Sequence, residues 1–177
     1  MAGLRVGYPG LTYTAEGIAS LIGECDIFCE PFAGLGRISK NIVANKIIVN
    51  DMSDFSIKYL NKEFPDAIVT QDDFVECIKK HDSKETTFFF DPPWSRVDYA
   101  KNPKTFCDRG VGDYYKELAE IVPTIKGKWF CAGRVSGGSR STVTVYFKEY
   151  NYEIVRSNRK INGHNAQTKV YFNKGDE

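Results

Sequence analysis

The chain has 177 residues, 42% of them hydrophobic and 14% aromatic, and carries a formal net charge of +1. That is enough apolar material for one buried core, so residues 1–177 are read as a single domain with no second unit inserted. No run reaches the roughly 18–20 apolar residues of a membrane span, and MAGLRVGYPG lacks a signal-peptide core, which predicts a soluble, cytoplasmic protein with no membrane partner.

In chain order, the first predicted strand is 26–31 (DIFCEP), followed by a glycine turn and a helical pattern over 36–45 with apolar Ile38, Ile42 and Val43. A second strand, 46–51 (KIIVND), leads to a helix over 53–64 that is capped by Ser53 and presents Phe55, Ile57, Tyr59, Leu60 and Phe64. Strands over 67–72 and 86–91 come next, and residues 92–111 form the longest loop. A helix over 112–126, capped by Gly112-Asp113, carries Tyr115, Leu118, Ala119, Val122 and Ile125 ahead of a fifth strand at 128–133. All five strands read as buried on both faces, and their alternation with helices predicts a parallel sheet with right-handed crossovers. Segment 141–150 is β-branched, yet a helix there completes the alternation, and helix is the favoured reading. The tail, 152–174, reads as an antiparallel hairpin around Asn162-Gly163 at the sheet edge.

The five cysteines, Cys25, Cys29, Cys77, Cys107 and Cys131, are odd in number and mostly sit in apolar runs, where a free thiol behaves as a small hydrophobe. Neither a disulfide framework nor a metal site is expected, because Cys25 and Cys29 have no second ligand pair at zinc spacing. Charge is uneven: 9 Lys+Arg face 14 Asp+Glu up to Asp91, and 15 face 9 beyond it, so the halves carry −5 and +6. The basic half is the one suited to a phosphate-bearing partner.

Strand ends carry the chemistry. Glu30-Pro31, Asp51, Asp72-Asp73 and Asp91 all fall at or just beyond strand termini. Ligands of open parallel sheets bind outside the carboxyl ends, so these acids are expected to share one crevice. After the first strand, Gly34 and Gly36 allow a tight turn and close approach of a ligand. The turn is not a dinucleotide fingerprint, since Ser39 holds the third glycine position, and the spacing is too short for a Walker A loop. Asp51 stands where an acid accepts from ribose hydroxyls. A purely structural reading, in which these residues form a turn and a helix cap, stays open beside it.

The run TTFFFDPPWSR, 86–96, delivers Asp91 to the crevice, stiffens the next backbone with Pro92 and Pro93, and adds an aromatic face at Trp94. Such a slot suits a planar amine. An exocyclic amine conjugated to a ring is a poor nucleophile, and acceptors at Asp91 and the Pro92 carbonyl would hold its hydrogens and free the lone pair.

EPFAGLG, VND, QDDF and DPPW, in that order, resemble the motifs of S-adenosylmethionine-dependent amino-methyltransferases, and among these the Dam-type DNA adenine-N6 methylases most. The resemblance spans nearly the whole chain, with YPGLTY, ELAEIV and SNRKINGH matching flanking segments. It implies a Rossmann-like methyltransferase fold: an α/β, mostly parallel seven-stranded sheet with helices on both faces and a C-terminal antiparallel hairpin. It further implies that S-adenosylmethionine is the cofactor, bound by Tyr8, Pro9, Gly10, Glu30, Phe32, Gly34, Gly36, Asp51, Asp73 and Phe74. Of these, Tyr8, Pro9 and Gly10 would flank the methionine moiety, and Asp73 and Phe74 would meet the adenine ring, with Asp72 a competitor for the acid's role. Asp91, Pro92, Pro93 and Trp94 would form the catalytic pocket for the target base.

Two departures stand out. Thr12 replaces a lysine common in the family, and only 17 positions separate Phe74 from Asp91, which leaves no room for a target-recognition domain. Contact with nucleic acid, DNA ahead of RNA, then falls to Arg96, Lys101, Lys104 and Arg109 in the loop and to Arg156, Arg159, Lys160 and His164 in the hairpin, or to a separate specificity subunit. The alternatives are an RNA base amino-methyltransferase and a catalytically idle module that binds cofactor or a partner.

Overall fold

The computed structural model describes residues 15–92, 114–134, 142–161 and 164–173 of the chain. The elements are α1 (Ala15–Ile22), β1 (Cys25–Glu30), a 3-10 turn (Ser39–Asn41), β2 (Ala44–Asn50), α2 (Asp54–Glu63), β3 (Ile68–Thr70) and α3 (Phe74–His81). They continue as β4 (Thr86–Phe90), α4 (Tyr114–Ile121) with a trailing 3-10 turn (Val122–Thr124), β5 (Lys128–Arg134), α5 (Thr142–Phe147), β6 (Asn151–Ile161) and β7 (His164–Phe172). Among the described residues, no helix is long and apolar enough to cross a membrane.

The strands form one seven-stranded sheet in the order β3-β2-β1-β4-β5-β7-β6. The first five are parallel, and β7 lies antiparallel between β5 and β6. Strand order reverses at β1, whose neighbours are β2 on one side and β4 on the other, so a crevice opens where the crossovers depart to opposite sides. The expected hairpin is present, with Ile161 paired to His164 across the two-residue connection.

Side chains alternate across the sheet with the period of two that pleating requires. Phe88, Phe90, Cys131 and Tyr171 face one layer, where Cys77 and Ile78 of α3, Leu118 of α4, and Val143 and Phe147 of α5 close over them. Phe28, Phe89, Ala132 and Val170 face the other layer, under Ile18 and Ala19 of α1. Leu60 of α2 covers Val49 in a smaller cluster beside Ala33. All three phenylalanines of β4 are fully buried, as a strand between two helical layers requires. Cys29 and Cys77 are buried with their sulfurs 3.8 Å apart, and Cys131 is buried too, each acting as a small apolar filler.

Four expectations need correction. Residues 36–45 do not form a helix: a 3-10 turn at Ser39–Asn41 suffices before β2 starts at Ala44, and Val43 is left exposed. Only the short run Arg37–Asn41 is free to wind there, too little for α-helical nucleation to be repaid. Two helices, α1 and α3, went unread because each is only eight residues long, barely two turns of pattern. Strand β3 is three residues long and partly exposed rather than buried on both faces, since it is the edge of the sheet. The first two strands are likewise buried only toward their carboxyl ends, at Phe28–Glu30 and Ile48–Asn50. By contrast, 141–150 does contain a helix, α5, and Ser53 does cap α2, its Oγ accepting from the Ser56 N–H at 3.5 Å. The Gly112-Asp113 cap lies outside the described residues.

Candidate active site

The carboxyl ends of β1, β2, β3 and β4 bring Glu30, Asp51, Asp72-Asp73 and Asp91 to one edge of the sheet, as parallel pairing in register demands. Glu30 is the deepest. It is 3% exposed, and its Oε2 accepts from both the N–H and the hydroxyl of Ser39, which pins the turn that follows the glycines. Burial pushes its carboxyl up to about 8, against the donors from Ser39, and the neighbouring charges of Asp91 and Asp51 push in the same direction. Burial therefore favours the protonated form of Glu30.

Gly34 and Gly36 both adopt positive φ, +54° and +61°. At Gly36 a side chain is doubly excluded, because a Cβ would also lie 2.5 Å from the Phe64 ring. At Gly34 a Cβ would meet nothing within 4 Å among the described residues, which suits close approach of a ligand to that backbone. The Gly34 N–H donates to Asp51 Oδ2 at 2.8 Å, and the Ser53 N–H donates to Asp51 Oδ1 at 2.8 Å. Burial raises the Asp51 carboxyl above its ordinary range, and these two backbone donors, with the Ser56 side chain, oppose the shift. A carboxylate has about four acceptor positions, so capacity remains for a ligand's hydroxyl.

The two aspartates after β3 have separate partners. Asp72 pairs with Lys80 at 2.8 Å, whereas Asp73 caps α3 by accepting from the Val75 N–H at 3.0 Å. Phe74 follows directly, buried against Phe32 from the glycine turn and Tyr114 from α4, with ring centroids 5.0 and 5.8 Å away. Phe32 and Tyr114 meet edge to face at 5.6 Å, completing a three-ring cluster under the crevice. At the end of β4, Asp91 is partly exposed and Pro92 is buried. The Asp91 charge reaches both Glu30 and the buried Cys131 thiol, raising each. Tyr8, Pro9, Gly10, Pro93 and Trp94 lie outside the described residues.

Sequence reasoning passed over two residues of this edge. Tyr114 begins α4 next to the core residue Tyr115, and a doubled tyrosine gives no sign of which ring turns toward Phe74. Asn50 is 1% exposed and bonds to the exits of both β1 and β3. A lone polar residue ending the apolar run IIV was the available signal.

No protein-family model and no curated protein matches the sequence. Solved structures do share the fold. A conserved hypothetical protein from Streptococcus pyogenes is 12% identical, with 91% of this chain and 96% of that one covered and a TM-score of 0.56. An rRNA methylase from Streptococcus thermophilus is 10% identical, with 91% and 94% covered and a TM-score of 0.54. A precorrin 8W decarboxylase from Methanobacterium thermoautotrophicum is 10% identical, with 89% of each chain covered and a TM-score of 0.53. At these identities the likeness is one of fold, the Rossmann-like fold of methyltransferases, which serves chemically different substrates.

Proposed function

We propose that this chain is an S-adenosylmethionine-dependent methyltransferase that modifies the N6 amine of adenine in DNA, acting as one catalytic domain over residues 1–177 in the cytoplasm. The observation that carries this reading is the convergence of Glu30, Asp51 and Asp91 at the switch point of the sheet, beside a glycine turn bonded to Asp51. The presence of EPFAGLG followed by DPPW along the chain adds to it.

The residues present suit an adenosyl group. Asp51 has acceptor capacity left for a ribose hydroxyl, Gly34 leaves room above its backbone among the described residues, and Asp73 with Phe74 stands one strand away for the adenine. When bound, the cofactor supplies an electrophilic methyl group on a sulfonium. Asp91 and the Pro92 carbonyl would accept the hydrogens of the target amine and hold its lone pair in line with that methyl group, while Trp94 stacks on the base. Asp91 then takes up the proton that the amine loses. In duplex DNA the base must first leave the stack, at a cost of a few kcal/mol.

An RNA base is the second reading, and one feature favours it. Only residues 82–85 join α3 to β4, where a target-recognition domain would be inserted, and an rRNA methylase shares the fold. Recognition of a DNA sequence would then need the 92–111 loop, the hairpin or a separate specificity subunit. Tritium transfer from labelled cofactor to single-stranded DNA, duplex DNA and RNA, with Asp91→Ala as control and mass analysis of the nucleosides, decides between them. N6-methyladenine in DNA is expected. Signal confined to RNA would reassign the polymer, and cofactor binding without any acceptor would leave a binding module.

A further inference from the structure

We propose that Asn50 is a positioning residue that fixes the nucleoside half of the cofactor subsite; this rests on the reading above, in which Asp51 holds the ribose. The Asn50 side chain uses every donor and acceptor position that an amide has. Its Nδ2 donates to the carbonyls of Pro31 and Asp72, both at 3.0 Å. Its Oδ1 accepts from the Thr70 hydroxyl and from the Asp72 N–H, both at 2.8 Å. Its backbone carbonyl accepts from the Ala33 N–H at 2.9 Å.

One residue thereby ties three strand exits: that of β1, which runs on into Phe32 and the glycine turn; that of β2, which continues at once into Asp51; and that of β3, which leads to Asp73 and Phe74. The tie matters because β3 is a poor anchor by itself. It is a three-residue edge strand, and its last register pair with β2 is Asn50 with Thr70. Past that pair, Asp72 is held by the Asn50 amide and by its exposed pairing with Lys80. The Asp51 N–H also donates to the Thr70 carbonyl at 3.3 Å, and the exposed Gln71 side chain reaches the Met52 carbonyl and Asp54. Asn50 is the buried tie among these, so the separation between Asp51 and Asp73, which must match the span of an adenosine, depends on it most. A methyl group in place of the amide would leave the two main clusters of the core intact but release this spacing.

Calorimetric titration of Asn50→Ala with S-adenosylhomocysteine and with methylthioadenosine, which lacks the amino-acid moiety, tests the assignment. Both ligands should bind about tenfold more weakly or worse, since several buried bonds are lost together. Thr70→Val, which removes one of the four side-chain bonds and is milder, should lose about threefold and carries the test where Asn50→Ala does not fold. Asp82→Asn, at the opposite end of the sheet, where Asp82 accepts from the Lys126 and Gly127 N–H groups, is the control for general destabilisation. It should lower the melting temperature and leave both affinities unchanged. Wild-type affinity in Asn50→Ala, a loss confined to S-adenosylhomocysteine, or an equal loss in Asp82→Asn would overturn the role of Asn50. Failure of the wild type to bind either ligand would overturn the cofactor reading beneath it.

Discussion

The Gly34 N–H and Asp51 Oδ2 meet at 2.8 Å across the exits of β1 and β2, so the acid that ends the second strand also holds the glycine turn that follows the first. With the Ser53 N–H on its other oxygen, Asp51 is an acceptor-only group between two fixed donors. Asp51→Asn turns one of those oxygens into a donor facing a donor. Charge-assisted bonds are worth about 1.5–3 kcal/mol each, so S-adenosylhomocysteine should bind about 10- to 100-fold more weakly. Calorimetric titration measures this, and unchanged affinity would remove Asp51 from the subsite.

Gly34 and Gly36 separate backbone strain from steric exclusion. Both have positive φ, but among the described residues only at Gly36 would an added methyl group meet a ring, that of Phe64, at 2.5 Å. Gly34→Ala should cost about 1–2 kcal/mol from the left-handed backbone alone. Gly36→Ala adds overpacking against Phe64 and should cost roughly 2–4 kcal/mol. Urea unfolding of the two variants gives the comparison, and equal losses would mean that Phe64 moves aside freely.

How much of this was legible in the sequence follows from what each residue has to satisfy. Acids at strand ends and glycines after the first strand were readable because local chemistry leaves them few other uses, and the parallel order was readable from apolar runs alternating with helical patterns. Phe88, Phe89 and Phe90, buried in both layers, fit that reading most directly. The 3-10 turn at Ser39–Asn41 was not readable, since Ile38, Ile42 and Val43 mimic a helical stripe while the chain needs only to reverse direction. Asn50 and Tyr114 were missed for another reason. Their partners, Pro31, Thr70, Asp72, Phe32 and Phe74, lie on other elements, and no local pattern encodes a contact made only once the sheet is assembled.

Asp91 should divide binding from chemistry. It sits at the end of β4, apart from the Gly34–Asp51 contact, and the reading gives it the target amine rather than the cofactor. Asp91→Ala should reduce methyl transfer by about 10²–10³-fold, the usual effect of deleting one group aimed at developing charge. Affinity for S-adenosylhomocysteine should change by less than about threefold. Retained transfer on every acceptor would take Asp91 out of the catalytic step, and a parallel loss of affinity would move it into the cofactor subsite.

Glu30 makes stability depend on pH in a direction opposite to that of most carboxylates. Its carboxyl is raised from an ordinary 4.5 to about 8, so between those values the folded chain holds a proton that the unfolded chain has released. Linkage then requires stability from this group to be fully present at low pH, to fall as pH rises through that window, and to level off above it. Glu30→Gln keeps a neutral acceptor for Ser39 at every pH and escapes the penalty. Its melting temperature relative to the wild type should climb steadily between pH 5 and 8, the two scales separated by the 4.5-to-8 window, reaching the equivalent of roughly 1–3 kcal/mol after allowance for relaxation of the site. A charged Glu30 at neutral pH would do the reverse: Gln would then forfeit charge-assisted bonds from Ser39, and the variant would be the less stable protein at pH 8.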